Sequence, residues 1–97
     1  MDKPRIITLD LGECQHIDEM HQRIKSAFQF PDYYGENWDA FWDLLRTECD
    51  VDKIVIIGEE TVSKELVPSM EMINEILQEL KEHLEKYGER IGIEIRN

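Results

Sequence analysis

Residues 53–57 read KIVII, and this short stretch decides the fold class that the sequence predicts. It is nearly all apolar, which is typical of a strand covered on both faces of a sheet. Two further stretches, RIITLDL at 5–11 and RIGIEI at 90–95, predict a strand before it and a strand after it. Strands separated by helical segments pair in parallel. The sequence therefore predicts one small α/β domain over residues 1–97, with a three-stranded parallel sheet packed by three to four helices.

The segment between the first two strands predicts two helices. Asp18 stands in the N-cap position before an apolar stripe that Pro31 ends. Asn37 is a good N-cap for a second helix, which runs to about Thr47. Gly35, in the loop between these helices, is expected to supply a positive φ angle.

The segment between the last two strands predicts the longest helix. Apolar residues recur at alternating steps of three and four from Met70 to Tyr87, which predicts that this stripe packs in the core. Gly88 follows in the left-handed C-cap position. A helical turn is predicted over residues 61–67, before Pro68.

The charge of the chain excludes several classes of partner. It has 22 acidic and 11 basic residues, for a formal net charge of −11. Nucleic-acid phosphates and anionic membranes would repel it, so we expect basic protein partners. No stretch resembles a signal peptide or the run of about 18 apolar residues that spans a membrane, so we expect a cytoplasmic protein. Cys14 and Cys49 are then expected to be free thiols.

Residues 31–45, PDYYGENWDAFWDLL, combine aromatic and acidic residues most densely. The apolar residues that share the predicted core face of the helix are Trp38, Phe41 and Leu45. Asp39 and Asp43 stack four residues apart on another face, and Trp42 lies between the two faces. This pattern predicts a helix with a buried side, an acidic face and an indole at the border.

Such an acidic face is most often only solvated surface. Two observations favour a binding role. Asp39 and Asp43 are like charges at a spacing that is mildly destabilising. In addition, Trp42 near Tyr33 and Tyr34 matches the composition of interface hot spots.

The same stretch carries a long ordered pattern: Pro31-x-Tyr33-Tyr34-Gly35-Glu36-Asn37-x-Asp39-Ala40-x-Trp42-Asp43-x-Leu45. This pattern resembles the signature of the barstar family of bacterial intracellular ribonuclease inhibitors. As a motif the resemblance covers about residues 20–45, and as an architecture it covers the chain. It implies a monomer that has no catalytic residues, cofactor or metal. It also implies a 1:1 complex with a basic, extracellular-type bacterial ribonuclease, which would be barnase-like, or with a related nuclease toxin.

The resemblance further implies that the second helix and the loop before it plug the ribonuclease active site. Asp43 would replace substrate phosphate against arginine and histidine side chains, because a carboxylate paired with arginine imitates two phosphate oxygens. Asp39 would meet other basic groups, and Tyr33 would pack on the catalytic histidine. The candidate partner-binding residues are Tyr33, Asn37, Asp39, Trp42, Asp43 and Arg46. Candidates of lower rank are Tyr34, Trp38, Glu79, Glu82 and His83.

Two departures from the family pattern leave the target open. Arg46, three residues after Asp43, would either pair with that carboxylate or meet an acid on a different partner. His83 stands near the place where the family has an acid in its last helix. The alternative is therefore a barstar-like immunity or regulatory module for a different basic protein or nuclease toxin. A mimic of nucleic acid that engages DNA-binding proteins is a weaker alternative. A divalent-metal site at Glu36, Asp39 and Asp43 is set aside, because a rigid helix encircles a cation poorly.

Overall fold

The computed structural model describes residues 5–47 and 51–96. The elements, in chain order, are β1 (Ile6–Asp10), α1 (Ile17–Phe28), α2 (Trp38–Thr47), β2 (Lys53–Ile57), α3 (Val67–Glu85) and β3 (Gly92–Arg96). Two short 3-10 turns, Glu59–Thr61 and Lys64–Leu66, precede α3. The second of them lies in the predicted helical turn.

The three strands form one parallel sheet in the order β1-β2-β3. In its centre Ile54 pairs with Ile7 on one side and with Ile93 on the other. The side chains of Ile54, Val55 and Ile56 are all buried, although successive residues of a strand face opposite sides of the sheet. The fold class predicted from KIVII is confirmed: a small α/β domain with a three-stranded parallel sheet and three helices.

The core lies between the sheet and the apolar sides of the helices. Its most deeply buried large side chains include Leu9, Met20, Ile24, Phe41, Leu45, Ile54, Ile56, Ile73, Leu77 and Leu80. The α1 helix packs on β1, and α2 packs on α3. Burial of one side of α2 fixes its orientation and leaves its opposite side in water. Across the ranges 5–47 and 51–96, every helix is too short or too polar to cross a membrane.

Both ends of α1 differ from the prediction. Asp18 is the second residue of the helix, and the N-cap position belongs to His16, which has extended backbone and makes no side-chain capping bond. The helix ends at Phe28 because Gln29 adopts the left-handed conformation, with φ of 55°. The chain therefore leaves the helix before it reaches Pro31, which does not itself break it.

The ends of α3 also differ. The helix begins at Val67 and includes Pro68, which the first turn tolerates because its missing N–H would have no helical acceptor there. It ends at Glu85, so Tyr87 lies beyond it and is 73% exposed. The prediction that Tyr87 belongs to the core stripe is wrong. Gly88 does have the predicted positive φ, at 77°, and it reverses the chain toward β3.

The cysteine prediction is settled at one position. Cys14 is a free and fully buried thiol. Burial raises the pKa of this thiol, with a smaller contribution from the neighbouring Glu19, so little reactive thiolate forms near neutral pH. Cys49 lies outside the described residues.

Candidate protein-binding surface

The α2 helix has a buried side and an exposed acidic side as the helical wheel predicts, except that Leu44 is buried in addition to Phe41 and Leu45 and that Trp38 is only half-buried. Its buried residues are Phe41, Leu44 and Leu45. Asp39 and Asp43 are exposed one turn apart, and we call these two carboxylates the acidic face. Trp42 is half-buried and packs against the core from the border of this face. Trp38 is also half-buried, because its ring lies 4.6 Å from the ring of His21 on α1.

The two carboxylates of the acidic face have different surroundings. Asp43 forms an ion pair with Arg46, one turn further along α2. The guanidinium of Arg46 also lies over the Trp42 ring, 5.2 Å from its centroid. Asp39, by contrast, has no hydrogen-bond or ion-pair partner among residues 5–47 and 51–96. The sequence left two roles open for Arg46: pairing with Asp43 or meeting an acid on a partner. In the free protein Arg46 pairs with Asp43.

Asn37 fixes the start of α2. Its Oδ1 accepts a hydrogen bond from the backbone N–H of Ala40 (2.8 Å), which makes it the N-cap that the sequence predicts. Its Nδ2 donates to the carbonyl of Gly35 (3.2 Å). The side chain is nevertheless exposed, so it can also contact a partner at the edge of the acidic face.

The loop of residues 31–37 carries its positive φ at an unexpected position. Glu36, not Gly35, is left-handed, with φ of 52°. Such a conformation costs a residue other than glycine about 1 kcal/mol or more. The carboxylate of Glu36 accepts a hydrogen bond from Nε2 of Gln22 on α1 (2.9 Å), which helps to hold it there. At Gly35 a Cβ atom would lie 3.0 Å from Nδ2 of Asn37, so a larger residue there would require this capping side chain to shift by a few tenths of an ångström.

The adjacent tyrosines of this loop lie in opposite environments. Tyr33 is 72% exposed, whereas Tyr34 is only 5% exposed. A hydrogen bond of 2.8 Å joins Oη of Tyr34 to Nδ1 of His21, and the Phe30 ring packs against Tyr34 at 5.3 Å. Tyr34, predicted at lower rank to contact a partner, is therefore a core residue that anchors the loop. Its burial removes it from the accessible surface.

Burial also sets the protonation of this anchor. It lowers the pKa of His21, because the charged imidazolium is poorly solvated there, although the carboxylates of Glu36 and Asp18 oppose the shift. Burial raises the pKa of Tyr34 for the corresponding reason. Both rings are consequently neutral at pH 7, and the hydrogen bond between them joins two uncharged groups.

A row of rings continues from α2 to the end of α3. The ring of Trp42 contacts that of His83 edge-on, with 6.0 Å between centroids, and His83 contacts Tyr87 in the same way at 5.2 Å. We call these three residues the aromatic row. The side chains of Glu79 and Glu82 are exposed on α3, on the helix that carries His83. The acidic face and the aromatic row thus meet at Trp42.

Comparison with known proteins identifies the family. A family model described as "Barstar (barnase inhibitor)" matches residues 5–96 of the chain. The chain belongs to the barstar family. The Bacillus subtilis (strain 168) protein named "Putative ribonuclease inhibitor YrdF" is 32% identical over an alignment of 83 residues that covers 80% of this chain and 91% of that protein. The resemblance seen in residues 31–45 is confirmed.

In this barstar-family chain, most candidate site residues are connected through α2. Those on the helix or at its cap are Asn37, Asp39, Trp42, Asp43 and Arg46. His83 joins them by its contact with Trp42, and Tyr33 is exposed in the loop immediately before them. Tyr34 and Trp38 instead pack toward His21.

Sequence reasoning missed Tyr87 as part of this surface. Its spacing fits the apolar stripe of α3, so the sequence pattern assigns it to the core. The signal that could have identified it is Gly88, the very next residue. A glycine in the left-handed conformation ends a helix one or more residues earlier, which turns Tyr87 out of the stripe.

Proposed function

We propose that this protein inhibits a small, basic, barnase-like bacterial ribonuclease by covering its active site with α2 and the loop of residues 31–37. The observation that carries the proposal is the acidic face: Asp39 and Asp43 lie exposed one turn apart in a barstar-family chain with a net charge of −11. A site that binds RNA phosphates is lined with cations, and two carboxylates at this spacing offer it an alternative anion.

Inhibition in this form needs no reaction. A carboxylate accepts two parallel hydrogen bonds from an arginine, in the geometry of two phosphate oxygens. Asp43 takes the position of the substrate phosphate, and Asp39 binds a neighbouring cation. No covalent bond is made or broken, so the complex is reversible. One binding surface covers one active site, so we expect a 1:1 complex.

Aromatic side chains supply the apolar part of the contact. Tyr33 is 72% exposed and is free to pack on the active-site histidine ring. Trp42, at the border of the acidic face, extends the contact through His83 to Tyr87. Large aromatic residues beside charged ones are the usual composition of binding hot spots. Because Tyr34 and Asn37 hold the loop before binding, less conformational entropy is lost on association.

The remaining negative charge acts at long range. A further set of acidic residues, all exposed, lies along α3: Glu71, Glu75, Glu79, Glu82 and Glu85. Diffuse charge of this kind raises the association rate with a cationic enzyme more than it strengthens the final complex. Added salt should therefore slow association much more than it speeds dissociation.

Inhibition assays test the proposal directly. The purified protein is titrated into a panel of small basic bacterial ribonucleases that includes barnase, and cleavage of a fluorogenic RNA is measured. We expect complete inhibition of at least one enzyme at a 1:1 ratio. Asp43→Ala should weaken binding by about 2 kcal/mol or more, the usual threshold of a hot spot.

The matched control is Glu60→Ala, which removes an equal charge from an exposed 3-10 turn outside this surface and should leave binding nearly unchanged. Circular dichroism and thermal unfolding verify that each variant folds. Full activity of every enzyme in the panel at a large excess of the wild-type protein would exclude direct inhibition of this class of target.

A further inference from the structure

The guanidinium of Arg46 is held by two groups that are both candidates for partner binding. One is the carboxylate of Asp43, with which it forms an ion pair. The other is the Trp42 ring, whose centroid lies 5.2 Å from the guanidinium carbon. Asp39 has no such neighbour among the described residues, so Arg46 distinguishes the two carboxylates of the acidic face.

This arrangement is the one that an arginine from a target would adopt. A guanidinium binds a carboxylate through its planar array of donors and stacks on an indole through its weakly hydrated face. In the free protein Arg46 already satisfies both interactions. The ion pair of Arg46 uses Oδ1 of Asp43, so a target arginine that binds both oxygens of this carboxylate and lies over the Trp42 ring must displace Arg46. The exposed position of Arg46 on the last turn of α2 permits that displacement.

A displaced Arg46 remains attached to the same turn of helix and therefore stays close to the bound target. Beside an entirely cationic site it has no favourable partner, and the binding energy is reduced by the lost ion pair and the lost stacking. Beside a site that also carries a carboxylate it forms a replacement pair. Specificity commonly depends on a repulsive or competing element of this kind as well as on attraction.

We propose that Arg46 determines specificity by acting as an intramolecular competitor for Asp43. It weakens binding to ribonucleases that present only cations to Asp43, and it favours a target with a carboxylate next to the arginine that Asp43 meets. This inference rests on the proposed inhibitor function and concerns the choice of target within it.

The test compares the wild type with Arg46→Gln, Asp43→Asn and the double variant, with barnase as the first probe and the same ribonuclease panel after it. Association and dissociation rates are measured by stopped-flow fluorescence. We expect Arg46→Gln to bind enzymes with an all-cationic site about tenfold more tightly than the wild type does. In the Asp43→Asn background the carboxylate for which Arg46 competes is absent, so Arg46→Gln should change the dissociation constant by about twofold at most.

The matched control is Lys64→Gln, which alters the net charge equally at an exposed residue of the 3-10 turn before α3. A comparable gain in Lys64→Gln would mean that total charge, not competition, causes the effect. The inference is also overturned if Arg46→Gln binds no more tightly than the wild type, or if its gain persists undiminished in Asp43→Asn. If the wild type binds no enzyme of the panel, the proposed function fails, and this inference fails with it.

Discussion

The loop of residues 31–37 comes directly before α2, and the aromatic row begins at Trp42 on that helix; the two are held in different ways. The loop is anchored by the buried hydrogen bond between Tyr34 and His21 and by an exposed hydrogen bond from Gln22 to the carboxylate of Glu36. The aromatic row rests on ring contacts between half-buried and exposed residues, and its last member, Tyr87, is 73% exposed.

The difference separates two ways of preparing a surface for a partner. Under the proposed function, a loop that is already anchored loses less conformational entropy on binding. Exposed rings can change rotamer at little cost, because few buried contacts are lost when they move. We therefore expect substitution of the residue that anchors the loop, Tyr34, to change protein stability, and substitution of the exposed end of the aromatic row, Tyr87, to leave it almost unchanged.

Removal of the Tyr34 side chain should have the largest effect. Tyr34→Ala empties a core position and leaves Nδ1 of His21 without its partner, so the free energy of unfolding should fall by about 3 kcal/mol or more. Tyr34→Phe keeps the ring and should lose only about 1–2 kcal/mol. Urea unfolding followed by tryptophan fluorescence measures both. Similar small losses in the two variants would contradict the anchoring role of the ring.

Lowering the pH tests the same anchor through His21. Burial lowers the pKa of His21 below the value of about 6.5 for an unfolded chain. Between the two pKa values the unfolded chain binds more protons, so the stability present above pH 6.5 is lost as the pH falls through this window. Each unit of pKa difference corresponds to about 1.4 kcal/mol. Urea unfolding at a series of pH values from 7.5 to 4.5 measures the loss.

Two variants test whether His21 causes this pH dependence of stability. His21→Gln removes the buried titrating group, so its stability should fall less steeply below pH 6.5 than that of the wild type. His16→Gln changes an exposed histidine just before α1 and should retain the wild-type dependence. If His21→Gln and the wild type lose stability in parallel, another group causes the loss.

The smallest effect on stability is expected in the aromatic row. Tyr87→Ala should change the free energy of unfolding by less than about 0.5 kcal/mol, as exposed substitutions usually do. Under the proposed function it should still weaken ribonuclease binding measurably. A loss of stability as large as that of Tyr34→Phe would show that the aromatic row, like the loop, is part of the structural frame.

The fold was predictable because its signals are local. The apolar strand at 53–57 and the helical period of α2 each require only a few neighbouring residues, and Asn37 caps α2 through a bond within one turn. The paired acids Asp39 and Asp43 follow from the same period, and the structure leaves both exposed.

The details that sequence could not supply depend on contacts between distant residues. Which of two adjacent tyrosines turns inward is decided by His21, thirteen positions earlier in the chain. The left-handed backbone falls on Glu36 instead of Gly35 where Gln22 of α1 binds the Glu36 carboxylate. The exposure of Tyr87 is a different case, because it follows from a local signal: the left-handed Gly88 ends α3 before Tyr87, whereas the apolar spacing alone extends the stripe to it.

The conformation of Glu36 has a consequence for redesign of the loop. Glycine or asparagine would occupy φ near 52° with less strain, so the present residue is not the one that backbone energetics alone would select. Its link to Gln22 ties the loop to the first helix, at a cost in local energy. Replacing Glu36 with glycine would relieve the backbone strain and remove the hydrogen bond to Gln22. The loop would then be less rigid, while every residue of the acidic face stays unchanged.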